Sequence, residues 1–241
     1  MRFHLLFEQS GTFKNVLKEY GYEAFDYDLL NDFNETDYVI DIFKEIENEY
    51  ENIVQGGAKQ TMFTNLDKDN DFIIAFFPCT HFSGLNQLQY KLVIAGKKRE
   101  LNKDAIKRLI DRNQERAKFF EIYLKFCFIV SEKKIKTIIE NPACCSGNYS
   151  YLELFSPIDI GYKELNRQKW GDLFRKPTNY FSINFGMIEK FLMFTPVYSK
   201  KTILDNTFGM KERSMISKVY AENFYKRFLE GRFEKVGGER E

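Results

Sequence analysis

Residues 71–77, DFIIAFF, form an almost continuous apolar run. A strand that is apolar on both of its alternating sides belongs in a sheet covered on both faces, with helices above and below it. The run stops at Pro78–Cys79, where a proline cannot continue a hydrogen-bonded ladder. Around it the chain alternates strands with helices. RFHLLF (2–7) reads as a strand and FKNVLKEYG as a short amphipathic helix stopped by Gly21. YEAFDYD (22–28) and YVIDI (38–42) read as the next two strands. A helix follows with Phe43, Ile46, Tyr50 and Ile53 inward, ended by Gly56 and Gly57. After DFIIAFF, residues 84–101 read as a loop. Asn102 caps a long helix to about Glu132, with Ala105, Leu109, Ala117, Phe120, Leu124 and Phe128 inward. IKTIIE (135–140) is a fifth strand, YKELNRQKWG (162–171) and NYFSINF (179–185) are edge strands, and SMISKVYAENFYKRFLEG (214–231) is a last helix. The alternation predicts an α/β fold with a mostly parallel sheet and helices on both faces.

The chain's 241 residues suffice for one large domain, and 44% hydrophobic with 29% charged residues describe an ordinary soluble globule. No apolar run reaches the eighteen or so residues of a membrane span, and MRFHLLFEQSGTF is too polar for a signal peptide. Four cysteines, two of them adjacent (Cys144 and Cys145), do not make a disulfide framework, so a reducing, cytoplasmic compartment is expected. His4, His81 and the cysteine pair lack structural zinc spacing, so no metal is expected. Charge is uneven: residues 1–75 carry six basic against sixteen acidic side chains, and the remainder is basic by roughly +11. That asymmetry suits a protein touching a polyanion with one face.

In such folds ligands bind at the carboxyl ends of the strands, and the polar clusters lie there. The first strand end carries Gly11 just before a helix, where backbone can approach a ligand's charged group. The second carries Asp26 and Asp28, placed for a ribose diol, and the third Asp41; acids in these positions also cap helices. The fourth is Pro78–Cys79, whose thiol is a small hydrophobe, a disulfide half, a metal ligand or a nucleophile. The fifth is Glu140–Asn141–Pro142, a carboxylate able to act as an acid if desolvated or merely to cap a turn. A thiol paired with a carboxylic acid suits addition of a nucleophile to an electron-poor ring.

FFPCTHFS resembles the catalytic motif of DNA cytosine-5 methyltransferases through Phe77, Pro78, Cys79, Phe82 and Ser83, with Thr80 where glutamine is usual. IIENP resembles that family's glutamate–asparagine–valine motif through Glu140 and Asn141. LFEQSGTF is similar to its cofactor motif at Phe7, Gly11 and Phe13, and Asp28 and Asp41–Ile42 fall at the next two cofactor contacts. WGDLFRKPTNYFSIN is similar to the strand that normally carries a glutamine and two arginines. It looks closer to a bacteriophage form with Gly171, Asp172, Lys176, Pro177 and Thr178. ERSMISKVYAENF resembles the late arginine–serine helix. The pieces run in family order over about residues 3–186 and 212–228.

The resemblance implies a single Rossmann-like S-adenosylmethionine-dependent methyltransferase domain over 1–241. S-adenosylmethionine would be the methyl donor and cytosine in DNA, turned out of the duplex, the substrate. Cys79 would add to C6, Glu140 would serve N3 of the base, and Lys176 would stand in for a family arginine. Phe7, Gly11, Asp28, Asp41, Ile42 and Pro78 would hold the cofactor. Thr80, Ser83, Asn141, Lys97, Lys98, Arg99 and Thr178 would meet the base or its DNA. Three departures stand out. Gln9 occupies a usual glycine position, lysine replaces planar arginine donors, and only a short segment, 187–211, stands in place of a target-recognition region. A protein partner or a second copy is then expected to supply specificity. Two other expectations remain open: a chain that binds DNA or a partner without chemistry, and one that modifies a free pyrimidine nucleotide.

Overall fold

The computed structural model describes residues 1–84, 90, 93–94, 97–98, 102–144, 149–190, 192 and 215–234. In chain order the elements are β1 (Arg2–Leu6), α1 (Thr12–Glu19), β2 (Glu23–Asp28), β3 (Tyr38–Val39), α2 (Ile42–Gln55) and β4 (Asp71–Phe76). Then come β5 (Val93–Ile94), β6 (Lys97–Lys98), α3 (Lys103–Glu132), β7 (Lys136–Pro142), α4 (Tyr151–Phe155) and β8 (Ile160–Glu164). A 3₁₀ turn (Arg167–Trp170), β9 (Thr178–Ile183), α5 (Lys218–Phe224) and a π turn (Tyr225–Leu229) complete them.

Seven strands form one sheet in the order β3-β2-β1-β4-β7-β9-β8. The first five are parallel, and β9 runs antiparallel to both β7 and β8. Strand alternation splits the core in two. Leu6, Ile73, Ala75 and Ile139 face one layer with Ile46, Tyr123 and Phe126 from α2 and α3. Phe3, Leu5, Phe72, Ile74 and Ile138 face the other with Val16, Leu17, Ala221 and Phe224 from α1 and α5. The expected α/β sheet with helices on both faces is therefore present. Each fully buried Val, Leu, Ile or Phe among them contributes roughly 1.5–3 kcal/mol of transfer free energy.

Several expectations are corrected. The third strand is only Tyr38–Val39, because Asp41 accepts from the Lys44 N–H and starts α2. The stretch expected as strand 162–171 is strand only to Glu164. Asn166 then accepts from the Gln168 N–H and opens the 3₁₀ turn. Within the expected loop at 84–101, Val93–Ile94 pairs antiparallel with Lys97–Lys98. Asn102 does cap α3, but the helix meets the core only over its last turns. Its buried residues are Ile122, Tyr123, Phe126, Cys127, Ile129 and Val130, while Ala117 and Leu124 face solvent. The final helix is shorter than expected. It is capped by Ser217 and passes at Tyr225 into the π turn.

Candidate functional site

The sheet order reverses between β1 and β4, since the chain proceeds outward from β1 through β2 to β3, and in the other direction from β4 to β7. A crevice opens outside the carboxyl ends at such a point. Here it is a cavity of about 380 Å³, of the size small-molecule sites have. Phe7, which follows β1, takes a left-handed backbone (φ 62°). Its ring packs edge-on against Phe77 (5.4 Å) and Phe43 (5.7 Å). Pro78 and Cys79 follow β4 and line the same cavity. The Cys79 carbonyl accepts from the N–H groups of Phe82 and Ser83, both at 3.0 Å, so the thiol sits at a tight turn. Asn141 Nδ2 donates to the Phe77 carbonyl (3.1 Å) and ties this turn to β7. The Cys79 thiol is a free one. Burial pushes its pKa up, Lys176 pulls it down, and Glu140 pushes it up again.

Glu140 is buried at 5% exposure, and its Oε1 has no hydrogen-bond partner among the described residues. Two cations stand beyond hydrogen-bond reach of that oxygen: Arg167 Nη1 at 3.6 Å and Lys176 Nζ at 3.9 Å. Lys176 reaches it because β9 runs backwards, so the residues before that strand lie at the carboxyl edge of the others. Arg167 comes from the 3₁₀ turn and is fully buried. It is paired through Nη2 with Asp172 at 2.5 Å and lies over the Tyr220 ring at 4.5 Å. Asp172 Oδ1 also accepts from the Ser217 N–H at the start of α5 (3.2 Å). Beside Glu140, the side-chain oxygen of Asn141 and both polar atoms of Asn179 are buried and unpartnered among the described residues. Buried polar groups are normally satisfied, so this cluster is incomplete in the protein alone.

The opposite end of the cavity is organised by Glu8. Helix α1 has Gly11 as its N-cap, with φ 62° and no capping side chain. Glu8 supplies the missing acceptor: Oε1 takes the Phe13 N–H (2.7 Å) and Oε2 the Lys14 N–H (3.3 Å). Burial pushes the Glu8 pKa up to about 7, against the pull of these two backbone bonds. Gly11 is needed for its backbone conformation, and an added Cβ would lie 2.9 Å from Glu35 Oε2. Lys14 turns away from the cavity and is consumed by Asp26 Oδ1 (3.0 Å) and Asp37 Oδ1 (3.3 Å).

Of the residues singled out in the sequence, Phe7, Pro78, Cys79, Glu140 and Lys176 converge on the cavity. Asp28 is buried beneath it, accepting from the Leu30 N–H (2.9 Å) and from the Gln9 side chain. Asp41 is the N-cap of α2, and Ile42 is in the core. Thr178 is buried and donates to the Lys176 carbonyl (3.1 Å). Thr80 is exposed and Ser83 half-buried in the turn after Cys79. Lys97 and Lys98 form β6, and Arg99 lies outside the described residues. Glu8 and Arg167 were not singled out. Glu8 had one legible signal, a helix start at Gly11 with no side chain to cap it; Arg167 had none in ELNRQKW.

The chain matches no protein-family model, and a search of curated proteins finds no significant match.

Proposed function

We propose that the chain transfers a methyl group from S-adenosylmethionine to C5 of a cytosine turned out of DNA. The observation that carries the reading is the meeting of Cys79, Glu140 and Lys176 in one cavity at the sheet's switch point, from segments far apart in sequence. The parallel strand order supports a nucleotide-bearing cofactor at that crevice. Leu30 and Phe33 supply apolar lining, and Glu8 and Asp32 an acidic side for a cationic donor. S-adenosylmethionine, when bound, supplies an electrophilic methyl group. Cys79 as thiolate forms a bond to C6, which makes C5 nucleophilic; once C5 carries the methyl, its proton leaves and the sulfur–carbon bond breaks to restore the ring. Glu140 presents its open Oε1 to N3 of the base and, carrying a proton, donates it there as Cys79 adds, so that negative charge does not build on the ring. Lys176 favours the thiolate. The basic second half of the chain would meet phosphates.

The test is transfer of labelled methyl from S-adenosylmethionine to DNA by the full chain. Incorporation in the wild type that disappears in Cys79→Ala supports the reading; incorporation that survives in Cys79→Ala removes the mechanism. A chain that binds DNA or a protein without chemistry is the second reading, favoured by Glu8 and Gln9 filling the turn where a cofactor would approach. It predicts no heat on titration with S-adenosylmethionine. Free pyrimidine nucleotides offered in place of DNA test the third.

A further inference from the structure

At the β1 end of the cavity, both features that would attract an anion are already used by the chain. The Phe13 and Lys14 amides in the first turn of α1 are held by Glu8, and the ammonium of Lys14 is held by Asp26 and Asp37. A ligand carboxylate arriving there would meet the carboxyl of Glu8 instead of the Phe13 and Lys14 N–H groups, and is repelled wherever Glu8 is ionised. The side chains that line this end add acid rather than base: Glu8 and Asp32, with Gln9 and Ser10 neutral and Lys176 at the far end beside Glu140. Gln9, in turn, engages Asp28.

Resting on the cofactor reading above, we infer that Glu8 takes the place of the ligand's own carboxylate at α1, so this cavity binds an adenosyl sulfonium by its cation and does not require its carboxylate. Glu8 is then a specificity-determining residue. It favours a positively charged sulfonium donor over the neutral thioether left after transfer, and accepts a donor lacking the α-carboxylate.

The experiment is calorimetric titration of the full chain with S-adenosylmethionine, its decarboxylated analogue and S-adenosylhomocysteine, repeated in Glu8→Ala. The wild type is expected to bind the decarboxylated analogue at least as tightly as S-adenosylmethionine, and S-adenosylhomocysteine about tenfold more weakly, the scale of one charge-assisted contact. In Glu8→Ala the α1 amides are released, and the preference shifts about tenfold toward the carboxylate-bearing ligand. Should that variant not fold, Glu8→Gln keeps an acceptor oxygen for the Phe13 N–H and is expected to lose the sulfonium-over-thioether preference. A wild type that binds S-adenosylmethionine about tenfold better than the decarboxylated analogue, with no change in either variant, overturns the inference and leaves the transferase reading standing. Absence of binding by all three ligands overturns both.

Discussion

The sheet has one polar cluster near the amino ends of β1 and β4 and another at the carboxyl end of β7 and the facing start of β9, and the two differ in completeness. Near the amino ends, Asp71 accepts from Arg2 Nε (2.8 Å) and Nη2 (2.7 Å) and from the Asp67 N–H (2.7 Å). His4 Nε2 lies 2.9 Å from the same carboxylate, and its Nδ1 lies 3.0 Å from the Tyr27 hydroxyl. Both oxygens and both ring nitrogens are used. Beyond the carboxyl ends, Glu140 Oε1, Asn141 Oδ1 and the Asn179 amide are buried with no hydrogen bond among the described residues, beside two cations just too far to donate. A closed network holds a fold together; an open one keeps donors and acceptors for something else. Burial alone does not separate the two clusters, since Asp71 and Asn141 are both fully buried; the state of their polar atoms does.

Substitutions can break that contrast. The largest expected effect is on rate: Cys79→Ala should lower methyl transfer by roughly 10³-fold or more while leaving the thermal midpoint nearly unchanged, as read by incorporation and calorimetry. A large fall in the midpoint would instead make Cys79 a packing residue. Arg167→Met should cost roughly 3–5 kcal/mol in denaturant unfolding, because it leaves Asp172 buried without its cation. A smaller loss would show that water reaches that pair.

At the amino end the pH dependence is the sharper probe. Burial raises the Asp71 carboxyl, but the hydrogen bonds from His4 and Arg2 outweigh it and hold the pKa at about 2, below the ordinary 3.8. Being depressed in the folded state, it contributes stability that is fully present above about pH 4 and lost as pH falls toward 2, roughly 2 kcal/mol in all. Asp71→Asn should remove that acid-limb slope without altering ligand binding; a loss of binding would mean that the two clusters are coupled. The smallest effect concerns Lys176→Met. It removes a charge that lowers the Cys79 pKa, so alkylation of Cys79 near pH 8 should slow severalfold and its pH profile move upward.

Much of the scaffold was legible because its signals are local. DFIIAF announces a doubly covered strand, Gly56 ends α2 with a left-handed residue (φ 73°), and Asn102 caps α3 through the Ala105 N–H. Cys79 and Glu140 were legible as strand-end residues of reactive type. What was not legible depended on partners supplied by the fold. The spacing of Ala117 and Leu124 fits an inward stripe, yet α3 presents a neighbouring stripe to the sheet. Asp28 and Asp41 have the right chemistry for a ligand, but Gln9 and the Lys44 N–H reach them. Arg167 becomes part of the site only because an Asx turn at Asn166 lifts it off the strand direction toward Glu140.

The reversed direction of β9 also sets which rim of the sheet each of its ends faces. Ile183 leaves the sheet beside Thr137, at the rim away from the crevice, while Met215 and Ile216 already wall the crevice. The segment before β9, with Lys176, is thereby delivered to the crevice, while the strand's own end is led away from it.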